Sequence, residues 1–258
     1  MLSIIICSIN PQRFDAIRRN FSRLLGDGND YQFVGVHDAK SLCEGYNRGV
    51  AHARPETTNF IFCHDDIEIL SPDFREKVYG HLRSYDVVGV AGTDRLAGGL
   101  WSYAGPPHIF GQVAHYKPPP LHCFDVDIFA APARSVDKIQ ALDGLFFAAR
   151  RAVVDKIRFD EQTFDGWHGY DVDFTFAAYL AGFRLGVACD IAIAHASIGT
   201  LDATWQRYVE RLERKYQAQL AGVPRRPYQC TVVRTRDRAE ALDVMTPRQW
   251  PPLETTST

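Results

Sequence analysis

The sequence predicts an α/β protein with a mostly parallel central sheet and helices on both of its faces. Three observations carry this prediction. From Leu2 to about Ala91, short apolar runs rich in β-branched residues alternate with segments of helical periodicity, the pattern of right-handed βαβ units. The runs are apolar at nearly every position, as expected of strands covered on both faces. Polar residues gather where those strands end, at Ser8 to Asn10, at His37-Asp38 and at His64, Asp65, Asp66 and Glu68 of "FIFCHDDIEIL". Ligands of open α/β sheets bind beyond the carboxyl ends of the strands.

Leu2 to Cys7 reads as the first strand. Asn10 can cap a helix with Pro11 at its first position, and Phe14, Ile17, Phe21, Leu24 and Leu25 recur at helical spacing before the Gly26-Asp27-Gly28 break. Tyr31 to Val36 is a second strand, and the Ser41/Glu44 capping box opens a helix through about Ala53. Phe60 to Cys63 follows as a third strand, Ser71-Pro72 starts another helix, and Val87 to Ala91 is a fourth strand. From Gly92 to about Gln140 the periodicity stops in "GGLWSYAGPPHIFGQVAHYKPPP", which predicts a functional loop holding a few short strands at most. Order resumes with a strand at Leu145 to Ala149, a short helix from Arg151 and a helix from about Asp171 to Ala181 stopped by Gly182. Strands around Leu185 and Ile191 and an amphipathic helix from Trp205 to Leu220 complete the pattern. Beyond Gly222 the chain, ending in "PPLETTST", reads as a surface-hugging or mobile tail.

The 29 Lys and Arg against 31 Asp and Glu argue against a chain-wide surface for nucleic acid or anionic membrane. No apolar run approaches the roughly 20 residues of a membrane span, so no transmembrane segment is expected, and "MLSIIICSIN" lacks the basic leader of a secretory signal. Six scattered cysteines with no CxxC pair read as reduced thiols of a cytoplasmic protein.

In an extended strand His64, Asp66 and Glu68 share one face, and a carboxylate beside an imidazole suits a divalent cation, Mg²⁺ or more so Mn²⁺. Cys63 and His64 lack a second ligand pair at zinc spacing. His195, after the apolar run of "AIAHASIG", is either a second imidazole for that site or a satisfied core residue. Asp171 and Asp173 open a helix, where the macrodipole favours carboxylates. The flanking Trp167-His168 loop adds a stacking surface for a sugar or ring, beside a carboxylate able to accept a hydroxyl proton.

Six segments in this order, "LSIIICSIN", "FVGVHDAKSLCEGYNRGVAHA", "FIFCHDDIEILSPDF", "LDGLFFAARRAVV", "FDGWHGYDVDFTFAAYLAGFRLGV" and "IAHASIG", resemble the family 2 glycosyltransferases of the GT-A fold, closest to a bacterial branch with an H-D-D motif. The resemblance spans roughly Leu2 to Leu220. It implies the GT-A nucleotide-diphospho-sugar transferase fold over residues 1–221, with a donor half of about 1–91, an acceptor half of about 92–221 and a tail over 222–258.

It further implies a nucleotide-diphosphate sugar as donor and a saccharide, lipid-linked or other hydroxyl acceptor. Ser8, Asn10, Asp38, Asn47, Arg48 and Asp65 fall at donor positions. Asp66 matches the second aspartate of the D-x-D metal motif, His64 stands where the first is usual, and His195 matches the histidine that completes the metal shell. Asp143 and Gly144 match the acceptor-side loop, joined by Trp101, Trp167 and His168, and Asp171 matches the base of inverting members, with Tyr170 in place of the usual Glu. Two other classes remain open. A non-catalytic nucleotide-sugar or glycan-binding module is compatible with the His64 and Tyr170 departures, and nucleotidyl transfer shares the architecture, although "SINPQRF" offers no Gly- and Lys-rich phosphate loop.

Overall fold

The computed structural model describes residues 1–197 and 202–246. In chain order they begin with β1 (Leu2–Cys7), α1 (Pro11–Leu25), β2 (Tyr31–Val36), α2 (Leu42–His52), β3 (Asn59–Cys63), β4 (Ile67–Ile69), α3 (Phe74–Ser84), β5 (Val87–Gly89) and β6 (Ala91–Thr93). A 3-10 turn (Trp101–Ala104) precedes β7 (Ile109–Lys117), β8 (Cys123–Ala130), β9 (Ser135–Val136) and β10 (Ala141–Leu142). There follow β11 (Phe146–Arg150), α4 (Arg151–Lys156), α5 (Tyr170–Leu180), β12 (Leu185–Ala188), β13 (Ile193–His195), α6 (Ala203–Lys215), α7 (Gln217–Leu220), β14 (Thr231–Thr235) and α8 (Arg238–Met245).

The caps form as their side chains dictate. Asn10 Oδ1 accepts the Arg13 N–H at the start of α1, and Ser41 Oγ accepts the Glu44 N–H at the start of α2. The first sheet runs β2-β1-β3-β11-β5-β12-β9. β1 is parallel to β2 and β3, and β5 to β12. β11 lies antiparallel between β3 and β5, and β9 closes the edge against β12. Thus β2, β1, β3, β5 and β12 share one direction, the mostly parallel arrangement expected, with β11 inserted against them.

Adjacent phenylalanines of β11 point to opposite faces and show what covers each. Phe146 meets Phe74 of α3, which meets Phe21 of α1. Phe147 meets Phe62 and, on α5, Phe174; Phe62 in turn meets Tyr46 of α2. All seven of these rings are fully buried, and each burial contributes roughly 1.5–3 kcal/mol. On α2, Gly45 and Gly49 face the sheet: a Cβ at Gly49 would stand 2.3 Å from Ile5 Cγ2, and one at Gly45 2.5 Å from Cys7 Sγ. The close approach is what sets α2, and Arg48 on it, against the strand ends.

The stretch read as a loop departs most from expectation. Val87 to Ala91 is not one strand; it passes from the first sheet to the second at Val90. Most of the following segment builds that second sheet, β10-β6-β7-β13-β4, with β8 and β14 continuing from β7. β7 and β8 form a long antiparallel hairpin whose buried positions include Gly111, Gln112 and Asp125, residues that a search for apolar alternation passes over.

Beyond Gly222 the chain also has defined structure. β14 pairs with β8 from Thr231 to Thr235, Arg234 grips Asp125 through two bonds of 2.8 and 3.0 Å, and Ala241 and Met245 of α8 are fully buried against Phe124 and Val126. Residues 247–258, including the expected mobile end, lie outside the described residues. Removing residues 222–258 should therefore lower the melting temperature by about 5 °C or more, since burial of Met245 alone is worth roughly 1.5–3 kcal/mol and each kcal/mol moves a chain of this size by about 2–4 °C. An unchanged melting curve would show that this packing contributes nothing. Among the described residues no helix is long and apolar enough to cross a membrane, and the six cysteines are free.

Candidate functional site

At the carboxyl end of β3 the chain does not stay extended through the acidic cluster. It turns at His64 to Asp66 and enters β4, which pairs antiparallel with β13 so that Ile67 faces His195. The turn and the pairing bring together side chains 131 residues apart. His195 Nε2 lies 3.2 Å from Asp66 Oδ1, His64 Nδ1 lies 3.9 Å from the same oxygen, and the two imidazole nitrogens are 3.3 Å apart. Ser197 Oγ lies 3.3 Å from His195 Nε2. Glu68, expected on the same face, turns instead to Arg238 of α8 at 2.7 Å.

One ligand atom from each of His64, Asp66 and His195 lies within 4.8 Å of the others, a group able to hold a metal ion. Its protonation suits that use. Burial, and then the charge of His195, push the His64 pKa down and favour neutral imidazole. Burial raises Asp66, but the hydrogen bond and charge of His195, with His64 and Ser197, hold it well below the usual carboxylate range. Two imidazoles and one ionised carboxylate fit Mn²⁺ or a neighbouring transition ion better than the all-oxygen shells of Mg²⁺.

Beside the cluster, Ser8 Oγ donates to Asp65 Oδ2 at 2.5 Å, and Arg13 of α1 lies 3.7 Å from Asp65 Oδ1. Arg13 and Asp65 form a wall common to two cavities. One, of about 270 Å³, opens at the ends of β1 and β2 and is lined by Ser8, Ile9, Val36, Ala39 and Trp167. The other, of about 410 Å³, reaches Asp66, His195, Tyr116, Phe124 and Arg238. Trp167, expected on the acceptor side, thus stands half-exposed over the cavity that holds Ser8.

Asp171 lies one residue into α5. Its Oδ2 accepts the Gly144 N–H at 2.8 Å. Asp143, next to Gly144, accepts from the indole of buried Trp101 at 2.8 Å and from the Leu145 N–H at 2.9 Å. Burial, and then the charge of Asp143, push the Asp171 carboxyl up to about 7, against the pull of the Val172, Asp171 and Gly144 amides. The helix N-terminus that should make Asp171 a weak base is outweighed.

A step that needs this group ionised should accelerate as pH rises, with its midpoint near 7, and Asp143→Asn should move that midpoint to lower pH by removing a like charge. The sign for stability is opposite. The folded state binds the proton more tightly than the unfolded one, so this group's contribution falls as pH rises from its ordinary 3.8 towards 7. A pH–rate profile that Asp143→Asn leaves unmoved would contradict the pairing.

Other expected site residues are placed apart. Asn10 spends its side chain on the α1 cap. Asn47 clasps Phe159, donating to its carbonyl at 2.8 Å and accepting its N–H at 3.1 Å, so both ends of its amide are occupied away from Asp65. Arg48 pairs with exposed Asp38 at 2.7 and 3.3 Å and with Glu44 at 3.3 Å. His168 packs on Tyr208 of α6, and burial pushes its pKa down.

Sequence reasoning passed over His115 and Asp127. His115 on β7 faces His195 on β13 in register, with ring centroids 5.9 Å apart, and its Nε2 lies 3.7 Å from Asp127 Oδ2 on β8. The signal was "VAHYK", legible only once β7 is known to be a strand.

A model of the family described as "Glycosyltransferase like family" matches residues 3–217. No curated protein matches the chain. Among solved structures it is similar to A197 from STIV, at 13% identity and a TM-score of 0.42 over 76% of this chain and 82% of that one. It is also similar to GalNAc-T7 solved with UDP, GalNAc and Mn²⁺, at 10% identity and a TM-score of 0.49 over 85% of this chain and 50% of that one.

Proposed function

Because this chain belongs to the glycosyltransferase-like family matched over residues 3–217, we propose that it moves a sugar from a nucleotide-diphosphate donor to an acceptor hydroxyl, with inversion at the anomeric carbon and the help of a divalent cation. Sugar transfer, on a mixed α/β scaffold of the GT-A kind, is the activity of the family; the donor class, the stereochemistry and the cation are our reading. The observation that carries it is the pairing of a His64–Asp66–His195 cluster with the Asp171 carboxyl at about 7, the two joined through Tyr170 and Gly144.

In this reading the nucleoside occupies the cavity of about 270 Å³ beside Ser8, Asp65 and Trp167, with Trp167 offering a stacking face. Asp65, held by Ser8, accepts from a sugar hydroxyl of the nucleoside, and Arg13 presents a cation to the phosphates. His64, Asp66 and His195 would hold Mn²⁺ or Mg²⁺, which when bound would supply a Lewis acid to the charge that builds on the diphosphate. Asp171 takes the proton from the acceptor hydroxyl. The acceptor oxygen forms its bond to the anomeric carbon from the face opposite the diphosphate, and the old C–O bond breaks with its electron pair leaving on the diphosphate. Trp101, Asp143 and Gly144 shape the acceptor side. Residues of about 1–91 form the donor half and 92–221 the acceptor half, with Trp167 and His195 crossing over.

Melting curves against a panel of nucleotide sugars, each with Mn²⁺ and with chelator, followed by assay of nucleoside diphosphate release, test the reading. The expected result is one donor that stabilises the protein in Mn²⁺ and releases its diphosphate when an acceptor is added. A panel in which no nucleotide sugar or nucleoside diphosphate raises the melting temperature would overturn it.

A further inference from the structure

We infer that Tyr170 is a positioning residue for the cation site: it fixes which nitrogen of His64 carries the proton, and so presents the lone pair of Nδ1 to Asp66 and His195. The inference deepens the reading above and rests on its assignment of that cluster.

The Tyr170 hydroxyl lies 3.1 Å from the Gly144 carbonyl and 2.8 Å from His64 Nε2. A carbonyl only accepts, so the one hydroxyl proton of Tyr170 is committed to Gly144. The Tyr170 oxygen then has lone pairs alone to offer His64, and Nε2 must be the donor. In a neutral imidazole a protonated Nε2 leaves Nδ1 bare, and Nδ1 is the nitrogen that faces His195 Nε2 at 3.3 Å and Asp66 Oδ1 at 3.9 Å. Metal-bound histidines commonly have their other nitrogen held in this way, which sets both ring orientation and basicity.

The Tyr170 hydroxyl also meets the side chain of Tyr46, whose own hydroxyl donates to the Cys63 carbonyl at 3.3 Å. Tyr170 is buried, and its ring packs edge-on to Tyr46 at 5.6 Å. Gly144 has no room for a side chain, since a Cβ would stand 2.2 Å from Tyr170 Oη and 2.7 Å from Asp171 Cβ. The same Gly144 residue accepts from Tyr170 through its carbonyl and donates to Asp171 through its N–H. His64 is in turn anchored there by its own backbone, whose N–H donates to the Leu145 carbonyl at 3.0 Å. Tyr170 therefore ties the orientation of a cation ligand to the loop that carries the base.

Tyr170→Phe keeps the ring and removes only the hydroxyl. Titration with Mn²⁺ alone should show affinity about 10- to 100-fold weaker than wild type, the usual cost of losing an outer partner of a metal ligand. Nitrogen-15 NMR of the metal-free wild type at mildly alkaline pH, with His64→Gln to assign the ring, should show a protonated Nε2 and a bare Nδ1, and Tyr170→Phe should turn that into a mixture of tautomers. A wild type that binds Mn²⁺ measurably but no more tightly than Tyr170→Phe, or a His64 protonated on Nδ1, would overturn the inference. A wild type that binds no Mn²⁺ while its His64 shows the Tyr170-dependent tautomer would uphold the positioning role and strike instead at the cation in the proposed function.

Discussion

Asp171→Asn should lower sugar transfer by about 100- to 10,000-fold, the range of a positioned general base, and leave nucleotide affinity unchanged. The substitution is close to isosteric. An Asn side-chain oxygen can still accept the Gly144 N–H that Asp171 Oδ2 accepts at 2.8 Å, so the loop keeps its place while the proton-accepting charge is lost. Asp173→Asn is the control that separates chemistry from folding. Asp173 is 2% exposed and contacts Lys215 Nζ and Tyr216 Oη at 2.7 Å each. Its loss should cost about 1–3 kcal/mol of stability, the scale for a weakened buried hydrogen-bonded group, with little effect on transfer by the protein that remains folded. Transfer that survives Asp171→Asn but not Asp173→Asn would move the base to the other aspartate.

Asp66→Ala should weaken Mn²⁺ binding by at least about 100-fold, more than the roughly 10- to 100-fold loss that follows removal of an outer-shell partner. Asp66 supplies the one carboxylate of the cluster, and its Oδ1 is the atom on which both imidazoles converge. Without it two imidazole nitrogens face each other with no carboxylate to balance a cation. Glu68→Ala tests whether general acidity is enough, because Glu68 lies in the same motif yet pairs with Arg238. Calorimetry with Mn²⁺ alone should find Glu68→Ala unchanged. Equal losses in the two variants would mean a diffuse acidic patch in place of a built site.

Much of this was legible in the sequence where local chemistry decides the outcome. The first βαβ units could be read because their strands are apolar on both faces and their helix caps, Asn10 and Ser41, bond as their side chains require. The direction of β11 could not, since a fully apolar strand packs equally well either way until its neighbours are known. The β7 and β8 hairpin stayed hidden because its buried positions include Gln112 and Asp125, which are held by hydrogen bonds: Gln112 donates to the Cys189 carbonyl, and Asp125 accepts from Arg234.

The site divides along the same line. His64, Asp66, His195 and Asp171 were recognisable from the resemblance of their segments, and the geometry draws the first three together. Asn47 was expected near the donor, but helix spacing does not reveal that the Phe159 backbone consumes its amide. Trp167 was assigned to the acceptor from its neighbours in sequence, whereas the path of its loop carries it across to Ser8 and Val36. The contact of Tyr170 with His64 needs both their loops in place and has no local signal at all.

The most direct test of the account is calorimetric titration of the wild-type chain with nucleoside diphosphates, once in Mn²⁺ and once in chelator. The acidic cluster alone repels phosphate, and a shared cation converts that repulsion to attraction. The account predicts affinity at least about tenfold higher in Mn²⁺, equivalent to about 1.4 kcal/mol, and, by the reciprocity of linked binding, an equal gain in Mn²⁺ affinity when the diphosphate is present. Equal nucleoside diphosphate affinity with and without Mn²⁺ would contradict it.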